Sequence, residues 1–218
     1  MLIPLRPAGP RPGKLYRSGS LHQLDDADRR DLAALRIGLI VDLRDPAERA
    51  DSPSDLRGVE ATVVHAPVLA QPPAVFLAAD TSLDAFYDHI VEERGHALAA
   101  VLRLLAASGP TPVLVHCTSG KDRTGLVVAL ALALAGVDRA AVVADYAASE
   151  QHLPSAHVEA ILARWPPGAN IATLVRLSPP AALERILRRI DERHGSVAGY
   201  ARAHGLTDEE LLLLTQIL

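Results

Sequence analysis

The sequence predicts one α/β domain, a small central and largely parallel sheet flanked by helices. Two observations carry that reading. Strand-like apolar runs are few and short, at 38–43, 61–65 and 112–116, whereas helical patterns are many, so a small sheet has to be covered by helices. At 218 residues the chain fills one well-cored domain, and two independent domains would each be small.

Taken in order, residues 1–13 read as an extended tail, because four prolines and two glycines oppose helix; the domain is expected over 14–218. Residues 15–17 suit a short edge strand. Asp25, Asp26 and Asp28 open a helix to about Leu35, and 38–43 is a buried strand followed by a turn or helix start at Asp45-Pro46. A second strand is expected at 61–65. Residues 67–80, punctuated by Pro67, Pro72 and Pro73, read as loop. Helices follow at about 82–93 and 95–107, parted near Gly95; Leu98, Val101, Leu102 and Leu105 fall on one face of the second. The strand at 112–116 leads through a tight turn into a helix from Arg123 that is apolar on all sides and so belongs in the interior. Asp138 can cap the next helix, to about Glu150, and Trp165-Pro-Pro-Gly168 breaks the chain. Helices are then expected at 179–193, 196–204 and 208–217, the last behind a capping box of Thr207 and Glu210.

The turn between the 112–116 strand and its helix carries the chemistry. Residues 116–125 read His-Cys-Thr-Ser-Gly-Lys-Asp-Arg-Thr-Gly; Cys117 is the only cysteine, and Arg123 follows it by six positions. A helix start offers unpaired N–H groups and the positive end of the helix dipole, which suits phosphate. The same field stabilises a thiolate, so a cysteine there is primed as a nucleophile. Gly120 lets the backbone approach an anion, and Gly125 keeps the first helical turn open to close packing. Lysine occurs only at 14 and 121 among 22 basic residues, which points to a compact ammonium at Lys121 rather than an arginine fork. A nucleophile and an anion cradle share one loop, as a phosphatase proceeding through a phosphocysteine needs.

This run resembles HCxxGKDRTG, the phosphate-binding signature of the bacterial lipid-phosphatase-like protein tyrosine phosphatases, part of the wider cysteine-dependent phosphatase superfamily. Leu15-Tyr-Arg-Ser-Gly-Ser-Leu21, Val41-Asp-Leu-Arg44 with Glu48, Asp145-Tyr146 and Gly195-Ser-Val-Ala-Gly-Tyr200 are similar to other segments of that family, so the likeness runs from about Leu15 to the C-terminus. It implies a tyrosine-phosphatase-like fold and hydrolysis of phosphate monoesters, first of all protein phosphotyrosine, with phosphoserine, phosphothreonine or phosphoinositides as further substrates. Cys117 is then the nucleophile and Arg123 the phosphate clamp, its planar fork matching two equatorial oxygens. Thr118, Ser119, Gly120, Lys121, Asp122, Arg123 and Thr124 form the phosphate site, with the backbone amides of 118–123 around the remaining oxygens. Lys121 is read as pointing to substrate. Thr124 is either a hydroxyl donor to the sulfur or a helix hydroxyl bonded back to a carbonyl. His116 orients the loop.

In this family the general acid is expected after the second strand. That segment reads His65-Ala-Pro-Val-Leu-Ala70, with Val68 where the aspartate would stand. Asp122 becomes the candidate acid, against the alternative of a loop-stiffening carboxylate. Asp42 and Asp45 are lesser candidates, each more simply a cap or a partner for Arg44. Lipid phosphatases that resemble this chain carry a lysine directly after the cysteine; Thr118 stands there, which with the lack of a polybasic segment argues against highly phosphorylated inositol lipids.

A net charge of −4 argues against nucleic acid or an anionic membrane as principal partner. The longest strongly apolar run, 126–135, falls short of the roughly 20 residues that span a bilayer. The N-terminus lacks a signal-peptide core and the lone cysteine fits a reducing compartment, so a cytoplasmic location is expected, with non-classical export left open. No cofactor is expected. No metal is expected either, since His152 and His157 lie off a common helical face. The partner should be a phosphorylated protein or phospholipid, without stable membrane association; oligomeric state is not legible. A phosphate-binding pseudophosphatase and a rhodanese-like sulfurtransferase remain as alternatives, the second opposed by the run 120–125. A nucleotide-binding P-loop fits poorly, lacking the upstream glycine and the Ser/Thr after Lys121.

Overall fold

The structure, a computed structural model, describes residues 6–8 and 11–218. Its centre is a sheet of β1 (Arg6–Ala8), β2 (Leu15–Ser18), β3 (Leu39–Asp42), β4 (Thr62–His65) and β5 (Val113–His116) in the order β1-β2-β5-β3-β4. The last four run parallel and β1 joins β2 antiparallel. Residues 6–8 are therefore the edge strand, and β2, expected at an edge, has a neighbour on each side. Pro7 hides β1 from a propensity reading, because proline is compatible with an edge strand although it disfavours strand in general. The rest of the expected tail before Arg11 lies outside the described residues.

Alternation along the strands divides the core. Leu15, Val41, Val113 and Val115 face the main cluster, while Tyr16, Ile40 and Leu114 face a smaller one with Leu24, Leu32 and Ile37. Both faces are covered, as a parallel sheet requires. On the smaller side lies α1 (Asp26–Ala34), opened by a capping box of Asp25 and Asp28. On the main side, α6 (Asp122–Leu134) is the buried axis, every residue from Arg123 to Leu132 being inside. Around it pack α5 (Gly95–Ala107), α7 (Arg139–Ala147), α11 (Val197–Ala203) and α12 (Asp208–Ile217), with α10 (Pro180–His194) against α7. The helix expected over 82–93 is α4 (Leu83–Asp88) continuing into one wider π-helical turn, His89–Glu93.

Three short helices stand where the sequence suggested loop or offered no pattern. They are α3 (Pro73–Ala78), α8 (Ser155–Leu162) and α9 (Ile171–Arg176). Pro73 read as a breaker, yet it occupies the first turn of α3, where its missing N–H costs nothing. Leu77 of α3 meets Val158, Ile161, Ile171, Val175 and Trp165 in one small apolar cluster, so these helices are held by each other more than by their own propensity. Between β3 and β4, α2 (Pro46–Asp51) starts at Asp45 with Glu48 completing a capping box.

Register places the site. Ser18 and Asp42 each lie level with His116, and His65 lies level with Asp42. The four parallel strands thus end on one line, and the loops beyond their carboxyl ends converge there. Among the described residues no helix is long and apolar enough to cross a membrane.

Candidate active site

The loop over 117–121 leaves β5 and turns at once into α6. Cys117, only 2% exposed, receives the N–H of Gly120 on its sulfur at 3.2 Å. Gly120 has φ +63°, and a Cβ there would lie 2.5 Å from the Ser18 carbonyl oxygen, so the turn needs glycine on both counts. Just inside α6, a Cβ added at Gly125 would meet the Tyr146 ring at 3.1 Å, so a side chain there would crowd it. Among the described residues the N–H groups of Thr118, Ser119, Lys121, Asp122 and Arg123 find no acceptor inside the protein, which leaves them as anion donors. Arg17 of β2 braces the loop from below, donating to the Gly120 carbonyl at 2.9 Å, to Ser149 Oγ at 2.8 Å and to Asp145 at 2.7 Å.

Arg123 is buried with its guanidinium gripped from one side. Its two terminal nitrogens donate to the two carboxylate oxygens of Glu48 at 2.6 and 2.7 Å. Burial opposes charge on Arg123, but the Cys117 sulfur and Glu48 more than offset it and hold its pKa above the ordinary value. Burial alone would raise the Glu48 carboxyl; the Arg123 fork, with help from Asp45 and Thr118, instead holds it at about 2. Thr118 donates its hydroxyl to Glu48, and Ser119 Oγ lies 3.3 Å from His157 Nε2. Glu48 entered the sequence reading only as part of a family likeness. The available signal was its place three residues after Asp45, a capping box that aims one carboxylate back over the chain.

Asp122 borders the cleft above Cys117. Its Oδ1 accepts from Tyr87 Oη at 2.8 Å and from Lys121 Nζ at 2.8 Å, and Tyr87 is joined to Tyr146 at 2.7 Å. Burial, with the Asp122 charge nearby, keeps both tyrosines protonated by raising their pKa values. The lesser acid candidates are engaged elsewhere: Asp42 forks onto Arg44 at 2.8–3.2 Å, and Asp45 caps α2. Val68 is fully buried in the core.

Two expectations are corrected. The Lys121 ammonium turns inward rather than into the cleft: it is 1% exposed and donates to the carbonyls of Leu174 and Leu177 as well as to Asp122. Thr124 Oγ1 is buried and, among the described residues, bonds neither to the sulfur nor back to a carbonyl. Position along a motif does not fix side-chain direction: Lys121 stands just before α6, and Thr124 lies in its first turn, where successive residues point about 100° apart.

An open cleft of about 370 Å³ rises over the loop. Cys117, Thr118, Ser119, Asp122 and Arg123 form its floor. Pro72, Pro73, Phe76 and Leu77 of the α3 segment and Ile161, Trp165, Leu174 and Val175 of the α8–α9 segment line its walls. Asp51 and Arg164 also border it. A charged floor under apolar walls suits a phosphate carried on an aromatic or aliphatic stem.

His116, the residue before Cys117, is fully buried, its Nδ1 donating to the Cys117 carbonyl at 3.1 Å. Burial lowers its pKa to about 4, so it is neutral at pH 7 and a weak proton acceptor. Linkage then has a definite sign. The unfolded histidine takes a proton near 6.5 and the folded one only near 4, so this contribution is complete above 6.5 and is lost as pH falls through that window. Urea midpoints should fall from pH 7 to pH 4, and the fall should be smaller in His116→Gln. Equal slopes for the two proteins would contradict a buried neutral histidine.

The family described as "Tyrosine phosphatase family" matches residues 8–218. Triple specificity protein phosphatase PtpB of Mycobacterium tuberculosis is 33% identical over 243 aligned positions, covering 90% of this chain and 87% of its own. A tyrosine-protein phosphatase of Nostoc commune is 35% identical over 153 positions, covering 63% of this chain and 48% of that one. The crystal structure of TpbA from P. aeruginosa aligns with 62% of this chain and 68% of its own at 26% identity, with a TM-score of 0.38.

Proposed function

The chain belongs to the tyrosine phosphatase family, and from that premise we propose that it hydrolyses protein phosphotyrosine through a phosphocysteine intermediate, in the lipid-phosphatase-like branch of the family. The observation that carries this is the Cys117 sulfur at the floor of a cleft, beside an Arg123 fork already oriented by Glu48. The sulfur attacks phosphorus as the bond to the leaving oxygen breaks. Glu48 takes two of the five guanidinium N–H groups, and the others with the loop amides hold the equatorial oxygens. As general acid, Asp122 delivers a proton from Oδ2 to the departing phenolate. It then takes one from the water whose oxygen attacks the phosphocysteine; the S–P bond breaks, phosphate leaves and the thiolate is restored.

The apolar walls favour an aromatic phosphate that reaches down to the floor. With the Lys121 ammonium engaged inside the protein, the cleft has less to offer a second phosphate, which ranks phosphoinositides below phosphotyrosine, and phosphoserine or phosphothreonine peptides remain further candidates. Phosphate release should be measured on phosphotyrosine, phosphoserine and phosphothreonine peptides and on phosphoinositides, with thiosulfate as sulfurtransferase control. Turnover is expected on phosphotyrosine first. Binding without turnover on every substrate would instead indicate a pseudophosphatase. Asp122→Asn should slow aryl phosphates with poor leaving groups by about 10² or more and activated ones far less; equal slowing of both would end the proton-donor reading.

A further inference from the structure

The chain has two lysines among 22 basic residues, and both are interior. Lys14 donates to Ser108 Oγ at 2.8 Å and to the Thr111 carbonyl, beyond the end of α5. Lys121 does the equivalent for α9. Its ammonium reaches the Leu174 carbonyl at 3.0 Å, the Leu177 carbonyl at 2.8 Å and Asp122 Oδ1 at 2.8 Å. Those carbonyls lie at the negative end of α9, where acceptors lack intrahelical partners. Three acceptors converge on three ammonium donors, a geometry that a planar guanidinium cannot meet.

The other end of α9 is held from a different element. The Asp80 carboxylate, just after α3, accepts from the N–H groups of Ala169, Asn170 and Ile171 at 2.9, 3.0 and 2.8 Å. Between the two ties, α9 supplies Leu174 and Val175 to the cleft wall, and Trp165, the only tryptophan, lies in the same wall. The phosphate loop therefore holds both the wall and the Asp122 carboxylate through a single side chain.

We propose that Lys121 is a positioning residue that couples the α8–α9 wall of the cleft to Asp122, and that it does not bind substrate phosphate. Its action on Asp122 rests on the proton-donor reading above; its hold on the wall does not. With Oδ1 engaged by Lys121 and Tyr87, Oδ2 is the oxygen left to exchange a proton with substrate.

The test compares wild type with Lys121→Met, Lys121→Arg and Asp80→Asn, using acrylamide quenching of Trp165 fluorescence, inhibition by inorganic phosphate, and kcat and KM on aryl phosphates of graded leaving-group pKa. In Lys121→Met the quenching constant should rise about twofold as the wall opens. Its kcat should fall most on poor leaving groups, while the inhibition constant of inorganic phosphate stays within about twofold, since no phosphate contact is lost. Lys121→Arg should not restore the shielding. Asp80→Asn should raise quenching without changing the leaving-group dependence, and it keeps the wall measurable if Lys121→Met does not fold. Unchanged quenching in Lys121→Met, or a phosphate inhibition constant weakened about tenfold or more and rescued by arginine, would overturn the proposal. If Asp122→Asn leaves the leaving-group dependence unaltered, the donor reading fails by itself and quenching still decides the hold on the wall.

Discussion

Cys117→Ser is expected to lower kcat on aryl phosphates by about 10⁴-fold or more while phosphate binding and the fold persist. A serine hydroxyl is not ionised at neutral pH, and His116, its pKa lowered to about 4 by burial and its Nδ1 proton given to the Cys117 carbonyl, is too weak a base to ionise it. The Arg123 fork and the free loop amides remain, so affinity for a phosphotyrosine peptide should stay near the wild-type KM. Steady-state kinetics, calorimetric binding of the peptide and the thermal midpoint check the three parts separately. A serine variant retaining more than about 1% of wild-type kcat would mean that the sulfur is not the nucleophile.

Glu48→Ala should remove about 3 kcal/mol or more of stability and, at the same time, a large part of kcat/KM. The Glu48–Arg123 pair has side-chain exposures of only 17% and 7%, so truncation leaves a guanidinium charge in the interior without its partner. Glu48 Oε2 also accepts the Asp45 N–H at 3.0 Å, so the same truncation frees the start of α2. Glu48→Gln keeps the shape and one acceptor and should lie between. Urea unfolding and kcat/KM on a phosphotyrosine peptide measure both effects. If Glu48→Ala matched wild type in stability but lost activity, the carboxylate would be contacting substrate rather than holding Arg123. The wild-type pair also carries a pH signature. Glu48 is held at about 2 against an ordinary 4.5, so its stabilisation is complete above 4.5 and disappears as pH falls toward 2.

The legible part of the molecule was the part written in consecutive residues. β5, the loop and α6 follow one another without a gap, so an apolar run, a glycine turn and a second apolar run are enough to put Cys117 and Arg123 at a helix start. Local signals also served α1 and α12, whose capping boxes lie within four residues, and α5, whose apolar stripe repeats at helical spacing. The walls of the cleft were not legible. α3 begins with proline, α8 and α9 flank a Pro-Pro-Gly break, and none of the three has a face wide enough to predict it alone; they exist because Leu77, Val158, Ile171 and Trp165 meet.

What the sequence by itself determined is therefore a cysteine and an arginine on one loop, and that loop's place at the carboxyl end of a parallel strand. Both depend on backbone geometry set by neighbours along the chain. Only the tertiary structure decided what those side chains face. It brought Glu48 across to Arg123, Tyr87 to Asp122, and the end of α9 to Lys121, pairs separated by 75, 35 and 53 residues. It also made Lys121 an internal tie. An ammonium satisfies a phosphate and a ring of carbonyl oxygens equally well, so which of the two it meets depends on the chain that folds over it.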